Sequence, residues 1–228
     1  MPVDLSKILV VGVSTRALFN LEEENKIFDE QDIEAFREYQ LKNEDELLES
    51  GTAFHLVKSL LELNKIADRK IVEVVVMSRN STETGMRVLN TIEKYKLDIT
   101  RVAFTGGEPL SPYIEAYDVD LFLSKDQIDI QTIIDTNECA AAFIYDPPKE
   151  FSSLDLRVKI AFDADAVLFS DESEYRYKTE GMDSFHKYEK EHEDDALAEG
   201  PFAKLLIKLS QIMFIPACGP PIPSASLP

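Results

Sequence analysis

Short apolar runs alternate along the chain with longer stretches in which apolar residues recur at helical spacing. The runs are rich in Val, Ile, Leu and Ala, a composition typical of strands that are covered on both faces. Six runs are predicted as strands, at residues 8–13, 72–77, 102–104, 119–123, 140–145 and 158–162. Five stretches between them are predicted as helices, at residues 23–42, 52–65, 81–95, 112–117 and 127–136. The alternation predicts an α/β fold with a parallel sheet flanked by helices.

The chain carries an internal repeat with an offset of about 150 residues. Residues 11–19, Val-Gly-Val-Ser-Thr-Arg-Ala-Leu-Phe, align with residues 161–169, Ala-Phe-Asp-Ala-Asp-Ala-Val-Leu-Phe. After a slip of one residue the similarity resumes and continues as far as Gly51 and Gly200. A connector with two prolines, residues 146–150, separates the copies. We therefore predict a duplicated α/β unit whose first copy occupies residues 1–150.

The second copy is predicted to be incomplete. A full copy would extend to roughly residue 295, whereas the chain has 228 residues. Residues 151–212 would hold its first strand, an acidic helical insertion and the start of one helix at 202–211. Residues 213–228 contain five prolines and no charge, so we predict a disordered tail. A truncated or aberrantly spliced product and a natural short linker both explain such an end.

Charge and composition exclude several classes of partner. The chain has 24 Lys and Arg against 43 Asp and Glu, a formal net charge of −19 at pH 7. This balance speaks against a nucleic acid polymer or an anionic membrane as partner, because both are held by clustered Lys and Arg. The sequence shows no leader and no apolar run of membrane length, so we expect a cytoplasmic protein. Cys139 and Cys218 lack the spacing of a metal site and are predicted to be ordinary thiols.

Two carboxylates follow the last predicted strand. On an extended strand, side chains at positions i and i+2 point the same way, so Asp163 and Asp165 can address one cation or one phosphorus atom. Carboxylates and phosphate oxygens suit Mg²⁺. The first Asp can attack phosphorus, and the second can protonate the leaving oxygen and then activate water. On spacing alone, the pair also fits a solvated acidic turn at a helix N-terminus.

The surrounding residues resemble a known family. Residues 162–172, Phe-Asp-Ala-Asp-Ala-Val-Leu-Phe-Ser-Asp-Glu, resemble the first motif of haloacid-dehalogenase-like (HAD-like) phosphatases. More narrowly, the chain resembles the cytosolic 5′-nucleotidase type I family as far as residue 202 or so. Besides the Asp163 segment, the resemblance is carried by residues 14–19, 51–54, 77–81, 97–101, 104–107 and 119–124.

The resemblance implies a HAD-like, Rossmann-like fold and a Mg²⁺-dependent reaction. The implied reaction is hydrolysis of nucleoside 5′-monophosphates, AMP prominent among them, to nucleoside and phosphate. By position, Asp163 matches the nucleophile and Asp165 the acid/base of the family, with both residues contacting the metal ion.

The chain departs from the family pattern after Phe202. A Thr/Ser motif for phosphate, a lysine and a second acidic pair are not recognisable there, so we expect little or no activity from this chain alone. The first copy has Val13 and Thr15 in place of the Asp pair and is interpreted as degenerate. Ser78 and Arg79 are weak candidates for substrate binding, because a hydroxyl beside a helix N-terminus suits an anion. A scaffold or regulatory surface is the alternative interpretation.

Two other functions stay open beside nucleotide hydrolysis. The first is a non-catalytic interaction or regulatory form that pairs with full-length subunits or forms a homo-oligomer, because an unfinished unit leaves strand edges and apolar faces uncovered. The second is a phosphatase of the same superfamily that acts on sugar phosphates or another phosphoester. His186 and His192 lie in an acidic helical stretch and are predicted to belong to a solvated face rather than a zinc site.

Overall fold

A five-stranded sheet forms the centre of the molecule. The computed structural model describes residues 5–146, 158–162, 172–191 and 202–215. The strands are β1 (Leu9–Ser14), β2 (Val72–Ser78), β3 (Arg101–Phe104), β4 (Leu121–Ser124) and β5 (Ala140–Phe143). Their order is β3-β2-β1-β4-β5, and every pairing is parallel. The predicted α/β fold with a parallel sheet is therefore confirmed, in the strand order of a Rossmann-like sheet.

The helices of the described residues follow the predicted alternation. They are α1 (Thr15–Leu18), α2 (Glu22–Glu30), α3 (Ile33–Lys42), α4 (Phe54–Ile66), α5 (Thr82–Lys94), α6 (Ser111–Ala116), α7 (Gln127–Ile134), α8 (Glu172–Glu180), α9 (Met182–Glu191) and α10 (Ala203–Met213). A turn of 3₁₀ helix, Leu5–Lys7, precedes β1. In the part of the chain that the structure describes, none of these helices has the length and apolar character needed to cross a bilayer.

Local capping sets two helix starts. The Ser81 hydroxyl accepts a hydrogen bond from the Thr84 N–H, and the Thr84 hydroxyl accepts one from the Ser81 N–H, which completes a capping box at the start of α5. The single helix predicted over 23–42 is wrong, because it is broken into α2 and α3. Asp32 accepts a 2.8 Å hydrogen bond from the Ala35 N–H and begins α3 as an N-cap. An Asp side chain competes in this way for backbone N–H groups and favours a helix start over a helix interior.

Both faces of the sheet are buried. Leu9, Val11 and Val13 of β1 belong to the core cluster that includes apolar residues of α4 and α5. Val10 belongs to the opposite cluster, together with apolar residues of α6 and α7. A strand with two covered faces favours apolar side chains at most positions, which explains the nearly continuous apolar runs in the sequence.

The helix α10 packs on the same face as α4 and α5. Its residues Leu205 and Ile212 are buried in that core cluster. Lys208 donates hydrogen bonds to a carboxylate oxygen of Asp120 at 2.7 Å and to the Ile8 carbonyl at 3.0 Å. Residues predicted to start a second unit therefore contact the first one. The predicted boundaries between domains stay predictions.

The predicted strand at 158–162 is wrong. These residues form no strand, and the partner of β5 in the described part of the chain is β4. A strand exists through hydrogen bonds to a neighbouring strand, and none pairs with this segment in the described part of the chain. Val158 and Phe162 are instead partly buried against the core, with the Phe162 ring centroid 6.2 Å from that of Phe202. The predicted tail starts at Met213, but this residue ends α10, and residues 216–228 lie outside the described ranges.

Candidate functional site

A cavity of about 670 Å³ lies at the carboxyl edge of the sheet. Its floor is formed by the ends of β1, β2 and β4 and by the loop after β3, and its roof is formed by α2 and α3. Open parallel sheets bind their ligands at this edge, where the strand order reverses. The cavity is therefore the candidate site of the described structure.

Hydroxyl groups occupy the strand ends at the floor of the cavity. Ser14, Ser78 and Ser124 are the last residues of β1, β2 and β4, and all three are buried. The Ser78 hydroxyl accepts a hydrogen bond from the Asn80 N–H at 3.2 Å and lies 3.1 Å from the Thr15 hydroxyl. Ser14 and Ser124 likewise accept from backbone N–H groups within the next three residues. Each serine oxygen thus accepts a local hydrogen bond, and of the Ser78 and Thr15 hydroxyls one donates to the other.

The loop after β3 is fastened to the loop after β2. The Gly106 N–H donates to the Asn80 carbonyl at 2.9 Å, and the Gly107 N–H donates to the Arg79 carbonyl at 2.7 Å. Both glycines have positive φ angles, 63° and 100°. A residue with a Cβ atom is strained in this conformation, so the two glycines allow the loop to lie along the cavity.

Arg79 is held by an ion pair at the cavity wall. Its guanidinium donates to a carboxylate oxygen of Asp129, whose side chain is buried. Burial raises the pKa of Asp129, and the charge of Arg79 opposes that rise. The structure thus brings the candidates Ser78 and Arg79 together at one cavity, with Arg79 already paired.

A buried ion pair fixes the roof. Arg87 of α5 donates to a carboxylate oxygen of Glu24 in α2 at 2.5 Å and to the Glu46 carbonyl at 2.8 Å. The side chains of Arg87 and Glu24 are 8% and 6% exposed. Sequence reasoning missed this pair, because its members are 63 residues apart and each stands in a stretch rich in charge.

Two residues that line the cavity each carry a buried polar atom with no hydrogen-bond partner among the described residues. These atoms are the Oε1 atom of Gln40 in α3 and the Nε atom of Arg16 in α1. Gln40 is only 2% exposed. Sequence reasoning missed Gln40 as well, since a glutamine in an amphipathic helix ordinarily lies on the solvated face.

A smaller cavity of about 380 Å³ lies beside the first and shares Arg16 with it. Its charged groups are mutually paired, because Lys125 donates to Glu22 and to Asp146, both at 2.9 Å. The charged side chains of the smaller cavity thus form a network of ion pairs, and the larger cavity remains the candidate site.

The predicted catalytic pair, Asp163 and Asp165, lies outside the described residues, as do His192 and Cys218. His186 is on α9 and exposed. Among the described residues, no cluster of three or more His, Cys, Asp or Glu is arranged to hold a metal ion. The roles of the two aspartates and of Mg²⁺ therefore stay predictions.

The comparisons with known proteins identify the family. A family model described as 5′-nucleotidase matches residues 1–215, so the chain belongs to the 5′-nucleotidase family and the predicted resemblance is confirmed. The chain is also 35% identical over 210 residues to cytosolic 5′-nucleotidase 1B of Homo sapiens. This alignment covers 90% of the chain and 34% of the relative, so the chain spans about a third of that relative's length.

Two solved structures are similar to the chain. Both are of the HAD domain of effector protein Lem4 from Legionella pneumophila, and one of them is an inactive mutant. Both are 12% identical to the chain and cover 64% of it, with TM-scores of 0.36 and 0.38. The alignments cover 90% and 89% of those two chains.

Proposed function

We propose that the protein represented by this chain hydrolyses nucleoside 5′-monophosphates, such as AMP, to nucleoside and phosphate. The observation that supports the proposal is the family match, which runs over residues 1–215 and so includes Asp163 and Asp165. The name of the human relative supports the same substrate class and a cytoplasmic location.

The proposed chemistry uses the two aspartates in sequence. A carboxylate oxygen of Asp163 attacks phosphorus, and the bond from phosphorus to the nucleoside O5′ breaks while Asp165 gives its proton to that oxygen. Asp165 then takes a proton from water, which attacks the aspartyl phosphate and releases phosphate. Hard carboxylate oxygens are suitable ligands for Mg²⁺, so Asp163 and Asp165 would hold it. When bound, the ion neutralises charge on the transferring phosphoryl group.

The chain by itself is proposed to have little activity. The residue of β1 that aligns with Asp163 is Val13, which is fully buried in the core, and Thr15 stands where Asp165 would be. The strand ends of the cavity thus carry hydroxyls in place of a carboxylate nucleophile. Residues that position phosphate usually supply a large part of the rate, and their counterparts are not recognisable after residue 202.

Phosphate release from AMP with Mg²⁺ tests this proposal. Two proteins are compared: the chain, and a chimera in which the chain continues into the remaining residues of the human relative. Each is prepared without substitution, with Asp163→Asn, and with Asp171→Asn as the matched control. We expect background release from every version of the chain. From the chimera we expect release that Asp163→Asn abolishes and Asp171→Asn retains. Equal release from all chimeras, or none from any, would overturn the proposed reaction.

The second candidate function is a non-catalytic form that pairs with longer subunits. Exposed apolar side chains at the end of α10 favour it, since Met213 is 67% and Phe214 is 79% exposed. Light scattering after size-exclusion chromatography, with and without a longer family member, distinguishes the two functions. A monomer that fails to associate excludes the pairing form.

A further inference from the structure

We propose that the cavity of the first unit binds a nucleoside phosphate without hydrolysing it. The phosphate would lie at the hydroxyl-bearing ends of β1 and β2, and the nucleoside would lie under α2 and α3. The proposal concerns a binding site, and it uses none of the residues of the proposed hydrolysis.

Gln40 provides the first line of evidence. Gln40 is one of the residues that line the cavity, and its Oε1 atom is buried without a hydrogen-bond partner among the described residues. The whole residue is only 2% exposed. Buried polar atoms in folded proteins are nearly always paired, so an unpaired one in a cavity wall calls for a donor from a ligand. Ribose hydroxyls and base amino groups are such donors.

The floor of the cavity provides the complementary chemistry. The Nε–H of Arg16 is buried and has no partner among the described residues. The Ser124 hydroxyl, and one of the mutually hydrogen-bonded hydroxyls of Thr15 and Ser78, have an O–H to donate. A phosphate group carries several strong acceptor oxygens and satisfies such donors together. The ligand must therefore accept hydrogen bonds at one end and donate them at the other.

The carboxylates around the cavity repel a phosphate less than free carboxylates would. Each is paired with an arginine or accepts hydrogen bonds from the N–H groups at a helix start. Glu24 is paired with Arg87, Asp129 with Arg79, and Glu83 with Arg37. Glu34 lies 3.7 Å from Arg37. Asp126 accepts the N–H groups that begin α7.

The walls favour a nucleoside over a bare sugar phosphate. Leu21, Phe28, Phe36, Met77 and Leu110 contribute apolar surface to the cavity. Its volume, about 670 Å³, lies within the range of sites for small organic ligands. A planar base covers such a surface, whereas a sugar leaves it in contact with water.

The same floor explains why binding would not lead to hydrolysis. The carboxylate that would attack phosphorus is replaced by the core residue Val13, and the acid/base position is Thr15. The Thr15 hydroxyl lies against that of Ser78 at 3.1 Å with no histidine or carboxylate among the partners that the structure gives it.

Isothermal titration calorimetry with AMP tests the site on the purified chain. The buffer contains EDTA, so that the proposed Mg²⁺-dependent reaction cannot proceed. The variants are Gln40→Leu and Thr15→Val, with Gln131→Leu on the exposed side of α7 as the matched control. We expect the first two to raise the Kd for AMP about tenfold and the control to leave it unchanged.

Further measurements locate the ligand and separate its parts. In NMR spectra, the amide signals of Gly106 and Gly107 should shift on addition of AMP. This measurement tests whether AMP lies in the cavity even if Gln40→Leu fails to fold. Adenosine and inorganic phosphate, tested alone, should each bind more weakly than AMP and compete with it.

Absence of AMP binding, or a Kd unchanged in both cavity variants, would overturn this inference and leave the proposed hydrolysis standing. Loss of hydrolysis in the chimera with AMP binding intact would overturn the proposed function alone.

Discussion

At the scale of single residues, the roof of the cavity depends on Glu24 and Arg87. Because both side chains are buried, removing one charge leaves the other without compensation in a region of low dielectric. We predict that Glu24→Gln lowers the free energy of unfolding by about 3 kcal/mol. Urea denaturation followed by circular dichroism measures this change.

The matched control is Glu62→Gln, because Glu62 forms its ion pair with Lys65 at the surface, at 2.6 Å. Exposed pairs contribute less than about 1 kcal/mol. If both variants lost a similar amount of unfolding free energy, the prediction that the buried pair contributes more than the exposed pair would be wrong.

A second residue, Cys139, is predicted to be chemically inert in the folded protein. Burial raises the pKa of its thiol from 9.0 to about 12. Because the thiolate is the reactive form, we predict that labelling slows on the order of a thousandfold on folding, a factor that follows from the pKa rise alone. In a Cys218→Ser background, a thiol reagent such as DTNB at pH 8 should label no thiol in buffer and one in guanidinium. Rapid labelling of the native protein would contradict the burial of Cys139.

At the scale of elements, a buried ion pair adds to the apolar packing that holds α10 against the sheet. The Lys208 ammonium contacts Asp120, which also accepts the Val10 N–H at 2.9 Å, and the Asp120 side chain is fully buried. We predict that Lys208→Met lowers the free energy of unfolding by about 3 kcal/mol, because Asp120 would lose its cation. Urea titration measures the effect.

Lys204→Met on the same helix is the control. The Lys204 ammonium is 4.0 Å from Asp120, and its side chain is 63% exposed. Its removal should cost less than about 1 kcal/mol. If Lys204→Met were as costly as Lys208→Met, the special contribution of the buried pair of Lys208 and Asp120 would be wrong.

At the scale of the whole molecule, the excess of acidic residues opposes compactness. With a formal net charge of −19, repulsion among carboxylates is stronger in the folded chain than in the expanded unfolded chain. Salt screens this repulsion, so we predict that the Tm rises by a few degrees when sodium chloride increases from low to physiological concentration. Differential scanning fluorimetry measures the change, and choline chloride should give the same rise. A Tm that falls with salt would show that attractive ion pairs dominate.

The sequence predicted the strands and helices of residues 5–146 closely, but not where a helix is interrupted. Continuous apolar runs placed five strands within two residues of those observed. The helix α5 was predicted from its Ser81 cap, which the structure confirms. The predicted helix over 23–42 failed at Asp32, because an amphipathic pattern continues across a local N-cap. The run at 158–162 failed because a strand also needs a neighbour.

What the sequence determined by itself is whatever a local pattern encodes: the alternation of strands and helices, the capping of α5, the excess negative charge, and the segments that indicate the 5′-nucleotidase family. The tertiary structure alone decided which distant groups meet. It paired Glu24 with Arg87, set Thr15 against Ser78, docked α10 on the sheet, and left Gln40 buried beside a cavity. The physical reason is that burial and hydrogen-bond pairing depend on the positions of every packed element, whereas spacing along the chain reports only the nearest turn or strand.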